Sequence, residues 1–391
     1  MRTIRLDYWI GAAFLAGITG AVLLLLMGHH PNDDAYITFR HSRFFAEHFR
    51  LAWNPAGKAE LGTTSPLFAV LLGVFGFLFG SSSIPQISLH LNAFLLALCG
   101  PLFFLIALEL TRNKLVSLAI AFLLCINSFN IRIYSQGFEL ALFCFLFFLG
   151  LYLLLGKNLR SAAFIAGILP LVRPEGVWLS VPLFCVLVFR HKFLTREGFR
   201  PGVLLAYGAV PLAWLIFSLL FYEQILPQSV AAKRDMNLIE PPFGSDGSMG
   251  GRLWSTALYL FGFWNVLLKP ILLQNGEAAV LYLPNLPYKP GNFFLRRGET
   301  VLWWSLLFYA VLFYRFHRSG EKTLLWHLSY PLFFTLFLMY TMRIELWYVP
   351  PWNSSVLLLL GAGSYHFFLQ VQELLAKLKT FQKPTWEKVF R

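Results

Sequence analysis

Charged side chains are scarce in this chain. They make up 13% of its 391 residues, against 57% hydrophobic and 17% aromatic, whereas an average soluble domain carries roughly 25% charge. Apolar runs near or beyond the roughly 18 to 20 residues that cross hydrocarbon as a helix recur along the whole length, so no sizeable soluble domain is left over. Cysteine is also sparse. The four, Cys99, Cys125, Cys144 and Cys185, all fall inside apolar runs without metal-ligand spacing, and they read as inert core thiols. Internal repeats and low-complexity stretches are missing, and so is any D-x-D loop on a soluble α/β domain, which argues against an enzyme using nucleotide sugars in the cytoplasm.

What charge there is has a pattern. The net charge of +13 comes from basic residues that punctuate hydrophobic runs, as orienting and phospholipid-contacting residues do, rather than from a basic patch for nucleic acid. The opening "MRTIRLDYWIGAAFLAGITGAVLLLLMG" has Arg2 and Arg5 ahead of a run long enough to span, with no small-x-small cleavage site after it. It reads as an uncleaved first transmembrane helix with a cytoplasmic N-terminus.

The hydropathy pattern predicts about ten transmembrane helices, at 7–28, 86–110, 114–132, 138–156, 159–172, 175–190, 202–222, 299–316, 323–341 and 351–374. This set leaves Arg112/Lys114, Lys157/Arg160, the basic residues from Arg190 to Arg200, Arg315/Arg318/Lys322 and the tail "KLKTFQKPTWEKVFR" in the cytoplasm, in line with the positive-inside rule. Two apolar stretches do not fit as crossings. "SPLFAVLLGVFGFLFG" from Ser65 is short and bounded by Ser-Pro and Gly-Ser, and reads as a re-entrant or interfacial helix. The stretch from Leu253 to about Leu283, broken at Lys269-Pro270, reads as membrane-associated. The expected fold is an all-α polytopic membrane protein, one domain over 1–391, with a first external loop at 29–85 and a second external or membrane-associated segment at 223–298.

That topology gathers the unusual charges on the non-cytoplasmic face. In "GHHPNDDAYITFRHSRFF", Asn32, Asp33 and Asp34 stand where a helix N-cap and first turn belong. Arg40, Arg43, Glu47 and Arg50 follow at spacings of 3, 4 and 3, one face of an amphipathic interfacial helix, with Ile37, Phe44, Phe45 and Phe49 away from it. A bland reading makes the aspartates caps and the arginines headgroup contacts. A functional reading sets paired acids against a cationic stripe able to hold a phosphate. His29, His30, Asp33 and Asp34 are metal-ligand types without a spacing that fixes coordination, so a divalent metal is optional, with Asp34 its candidate ligand.

Further along, Arg173 and Glu175 in "LVRPEG" sit at a proline break between apolar runs, where a mutual ion pair competes with a cavity role. Glu139 in "YSQGFELALF" opens a helix, where the dipole favours a carboxylate in any case. "WNPAG" reads as a tight turn, with Trp53 and Asn54 as possible sugar contacts, and Thr64-Ser65-Pro66 reads as a helix start with proline first. Lys233 and Arg234 in "LPQSVAAKR" follow the seventh helix at headgroup level, where phosphate binding and simple snorkelling are both open. Arg343 with Trp347 and Tyr348 serves equally as a site contact or an aromatic-belt anchor.

Taken in order, "DDAYITFR", "LAWNPAG" with "TTSPLF", "SQGFE", "RPEG" and "LPQSVAAK" resemble the multipass GT-C glycosyltransferases that use polyprenyl-phosphate sugars. The chain is most similar to the branch of the mycobacterial terminal arabinofuranosyltransferase, over most of its length to about residue 235. Its motifs depart from that pattern in detail, with "ELGTTSPLF" for "EGYTSPLW", "SQGFEL" for "SGLET" and "LPQSVAAK" for "LPNTFYAK". The resemblance implies an inverting transferase that moves a sugar from a polyprenyl-phosphate donor to a hydroxyl of a cell-envelope glycan or lipid acceptor. The active site would face the periplasm or exterior of a bacterial inner membrane. By position the first acid, Asp33, is the catalytic one, and Asp34 orients acceptor, sugar or metal.

Such a transfer needs a base, positive charge for the departing phosphate and a groove for lipid. Arg40, Arg43, Arg173, Lys233 and Arg234 are the candidate phosphate contacts, and Glu139, Glu175, Trp53, Asn54, Arg343 and Tyr348 the candidate cavity or sugar contacts. No cofactor is required. The competing class is a polytopic transporter or flippase for a lipid-linked anionic glycan, against which stand charges gathered at one face rather than the midplane. A lipid-binding or assembly partner without activity would leave Asp33 dispensable.

Overall fold

A computed structural model describes residues 6–28, 31–53, 61–156, 158–174, 201–225 and 349–381, with a few further positions at 176, 177, 180 and between 307 and 315. Among the described residues every regular element is helical. The order is α1 (Leu6–Met27), α2 (Asp33–His48), α3 (Pro66–Phe79), a 3₁₀ turn (Ser81–Ser83), α4 (Ile84–Thr111), α5 (Lys114–Cys125), α6 (Ser128–Ser135), α7 (Leu140–Leu155), α8 (Leu159–Val172), α9 (Pro201–Tyr222) and α10 (Val349–Phe381).

The chain folds as an all-α membrane protein. Among the described residues four helical stretches, Leu6–Met27, Ser81–Thr111, Pro201–Tyr222 and Ser354–Leu378, are long and apolar enough to cross a bilayer by length and composition. The three spans predicted at 114–132, 138–156 and 159–172 correspond to shorter apolar helices. Of these, α5, α7 and α8 have 12, 16 and 14 residues, below the roughly 17 needed to cross unaided. The break inside 114–132 has a local cause. Asn127 takes an extended conformation, and its side chain accepts a hydrogen bond from Asn130 N at 3.0 Å, ending one helix and capping the next. The helices predicted at 175–190, 299–316 and 323–341 and the stretch 253–283 lie wholly or largely outside the described residues.

α4 is the central helix, packed along α1 and against α5 and α7. Small residues make the α1 contact possible. A Cβ on Gly17 would meet the Ala97 carbonyl oxygen, one on Gly100 would meet the Ala13 carbonyl oxygen, and one on Gly20 would meet the Cys125 carbonyl oxygen of α5. Backbones touch there without side chains between them, the geometry by which helices associate when lipid removes the hydrophobic drive. Cys99, Cys125 and Cys144 are unpaired and buried in the same core, as the composition implied, while Cys185 lies outside the described residues.

α2 and α3 form a separate hairpin at the end of the bundle where α1 finishes and α4 begins. α3 opens with Pro66 in the first turn, after Ser65, as read from "TTSPLF". Gly73 and Gly76 of α3 face Phe45, Ser42 and Ala46 of α2, so the two helices lie close. Tyr222, at the end of α9, is fully buried against this hairpin, and its hydroxyl donates to Leu51 O at 2.6 Å.

Candidate functional site

The acid pair sits at the head of α2. Asn32, extended at φ −74° and ψ 151°, is the N-cap, and its side chain accepts from Asp34 N at 3.0 Å. The Asp33 carboxylate reaches the same Asp34 N at 3.0 Å. Only one of the two acids is turned outward: Asp33 is exposed and Asp34 half-buried. The cap role thus belongs chiefly to Asn32, which leaves Asp33 as a solvent-facing carboxylate in the favourable field of a helix N-terminus.

This head is fastened to the turn between α6 and α7. Asn32 N donates to Gln136 O at 3.1 Å, bringing "NDD" against "SQGFE". Gly137 in that turn has φ 83°, a conformation other residues adopt at a cost. Two residues on, Glu139 is buried and forms an ion pair with Arg173, which is buried at the end of α8. Arg173 thus has a partner in Glu139 on a neighbouring helix, 34 residues earlier. Its sequence neighbour Glu175 lies outside the described residues. Three motifs far apart in sequence meet at one end of the bundle.

The arginines of α2 are engaged near by, and Arg50, just beyond the helix, reaches α9. The Arg40 guanidinium lies 4.4 Å from the Trp53 ring centre, and its Nε donates to Trp53 O at 3.0 Å. This stacks Arg40 and Trp53 as one unit. Arg43 pairs with Glu47 at 2.9 Å, Glu47 accepts from Ser81 Oγ at 2.7 Å, and Arg50 lies over the Phe221 ring at 5.7 Å. Arg40, Arg43 and Glu47 form the exposed stripe on α2 that the spacing predicts, whereas Arg50 falls beyond the helix end, and the buried face is made mainly of small residues. It carries Ala35, Thr38, Phe39, His41, Ser42 and Ala46, while Phe49, in the left-handed C-cap, is exposed. Thr38 Oγ1 meets Thr63 Oγ1 at 3.3 Å, and Ser65 N donates to Thr63 Oγ1 at 3.1 Å. The "TTSP" segment is the polar floor under α2.

Glu47 gives this hairpin a pH signature. Its carboxyl is held below the ordinary carboxylate range, first by the hydrogen bond from Ser81 and then by Arg43. A carboxylate with a lowered folded-state value contributes stability above its unfolded value and loses it as pH falls through the folded one. Wild type is therefore expected to melt above Glu47→Gln at neutral pH, with the two converging on acidification below about pH 4. Intrinsic fluorescence melting in detergent measures this; a gap independent of pH would mean that the Ser81 and Arg43 contacts do not form.

Asn54, Glu175, Lys233, Arg234, Arg343, Tyr348, His29 and His30 lie outside the described residues. Among the described residues no group of three or more His, Cys, Asp or Glu side chains comes together. Three residues at this end went unremarked in the sequence. Tyr36 is exposed one turn after Asp33 and shares its face with Arg40. Gln136 holds Asn32. Asn92, a lone amide inside the apolar run "SLHLNAFLLAL", is the one the sequence could have flagged, since polar groups inside spans are costly without a partner.

No family model, curated protein or solved structure matches this chain.

Proposed function

We propose that the chain is an inverting glycosyltransferase of the GT-C type. It moves a sugar from a polyprenyl-phosphate donor to a hydroxyl of a cell-envelope glycan or lipid acceptor on the non-cytoplasmic face of a bacterial inner membrane. In this reading the full chain has about ten spans, as the hydropathy pattern and the positive-inside rule require. The observation that carries it is the setting of Asp33: an exposed carboxylate at a helix head, fixed by Asn32 N to the "SQGFE" turn.

The chemistry follows from that setting. The acceptor hydroxyl attacks the anomeric carbon from the face opposite the phosphate, its proton passes to the Asp33 carboxylate, and the anomeric carbon–oxygen bond breaks. Polyprenyl phosphate leaves with the bonding electrons. Asp34 orients the acceptor or sugar and is the ligand for a divalent metal if one takes part. Lys233, Arg234 and the α2 arginines offset the charge on the departing phosphate through charge-assisted hydrogen bonds, and Tyr36 and Trp53 offer aromatic faces to a sugar ring.

The test is sugar transfer in membranes carrying wild type, Asp33→Asn or Asp34→Asn, supplied with radiolabelled polyprenyl-phosphate sugars and native lipid or glycan acceptors, with donor binding followed in parallel. Asp33→Asn is expected to bind donor as wild type does and to lose about a hundredfold or more in turnover. Full transfer by Asp33→Asn would reduce Asp33 to a helix-end residue. Donor binding by wild type without any transfer would move the transporter reading ahead.

A further inference from the structure

Asn92 is fully buried and lies in the ninth position of α4, about 12 Å along the helix from its start. Its amide nitrogen donates to two backbone carbonyls, Tyr134 O and Phe138 O, each at 2.9 Å. These carbonyls flank Gln136, whose own carbonyl accepts from Asn32 N at 3.1 Å. Asn32 in turn caps Asp34 N. One side chain of the central helix therefore grips the α6–α7 turn from behind, and the turn grips the head of α2 from the front.

From this chain of bonds we infer that Asn92 is a positioning residue for Asp33, resting on the proposed role of Asp33 as the base. Irregular backbone buried among apolar helices must have its polar groups satisfied, and a turn has no ladder to satisfy them. Asn suits the task because its amide carries two donors that diverge, so one residue bonds the carbonyls on both sides of Gln136 and fixes the turn's height against α4. Leucine, of similar size, fills the space and donates nothing. With the turn loosened, Asn32 loses a fixed acceptor and the first turn of α2 is free to shift. A carboxylate displaced by about 1 Å from its acceptor hydroxyl costs turnover far more than binding.

Two readouts on the full-length protein in detergent or nanodiscs test this. The first is hydrogen exchange in peptides covering 31–35 and 132–139; the second is kcat and KM for a polyprenyl-phosphate sugar. In Asn92→Leu, exchange in both peptides is expected to rise by about tenfold or more, with α5 and α8 unchanged. The value of kcat is expected to fall at least tenfold, with KM within about twofold. Asn92→Asp, which keeps the shape but not both donors, is expected to fall between the two, which keeps the test open if the leucine variant does not fold. Faster exchange at 132–139 with 31–35 unmoved would overturn the inference, as would a rise in KM at constant kcat. Coupled loosening of both peptides in a protein whose wild type transfers no sugar would leave the relay standing and remove the transferase reading alone.

Discussion

Arg173→Met is expected to accumulate poorly and to melt far below wild type, whereas the double variant Glu139→Leu/Arg173→Met recovers most of the loss. Both members of this pair are almost completely enclosed. Removing the guanidinium strands a carboxylate among apolar helices, and breaking a buried pair from one side costs about 3–5 kcal/mol, whereas replacing both partners by apolar residues is often neutral. Against a typical total of about 5–15 kcal/mol, the single change uses up a large share of the stability. Fluorescence-detected size exclusion and thermal midpoints in detergent give the comparison; single variants as stable as wild type would mean that the pair is not formed in the membrane. The double variant then decides a second question. If it folds and still transfers sugar, Arg173 and Glu139 only tie α7 to α8; if it folds and is inactive, the pair belongs to the reacting cavity.

Much of the site was legible because it is local. Asn32, Asp33 and Asp34 announce a helix start through side-chain chemistry acting within four residues, and the arginine stripe follows from helical spacing alone. The α3 start at Pro66 was read in the same way. What escaped the sequence depends on contacts across the bundle. Nothing in "LVRPEG" says that Arg173 bonds Glu139, since that contact rests on how α7 and α8 pack. The buried face of α2 was not legible, because Thr38 and Ser42 count as polar on any hydropathy scale. In the fold, however, Thr38 has Thr63 as a partner, and Ser42 bonds its own helix at Thr38 O. The close approach of α3 comes from its glycines, Gly73 lying against Phe45 and Ser42 of α2. The split of the 114–132 helix escaped for a related reason. A hydropathy window runs through Asn127 as one polar residue among many apolar ones, while the backbone reads it as a cap.

Gly17→Val and Gly100→Val should each prevent α1 from seating on α4, and with it the assembly of the whole end that carries Asp33. The atoms that an added Cβ would strike are main-chain atoms of the opposite helix, which cannot rotate out of the way as a side chain does. Overpacking that a core absorbs by rotamer change costs about 1–3 kcal/mol; here the alternative is to part the helices and lose the packing that holds them. Gly11 supplies the control, because a Cβ there meets nothing within 4 Å, and Gly11→Val should behave as wild type. Protease protection of the folded chain, read beside size exclusion, separates the cases, and equal behaviour of all three variants would refute the close crossing. The consequence reaches the site through α1 itself. Only Gly28, at φ 81°, and four further residues separate the end of α1 from Asp33. The height at which α1 is held against Ala97 and Gly100 therefore limits where Asn32 can meet Gln136.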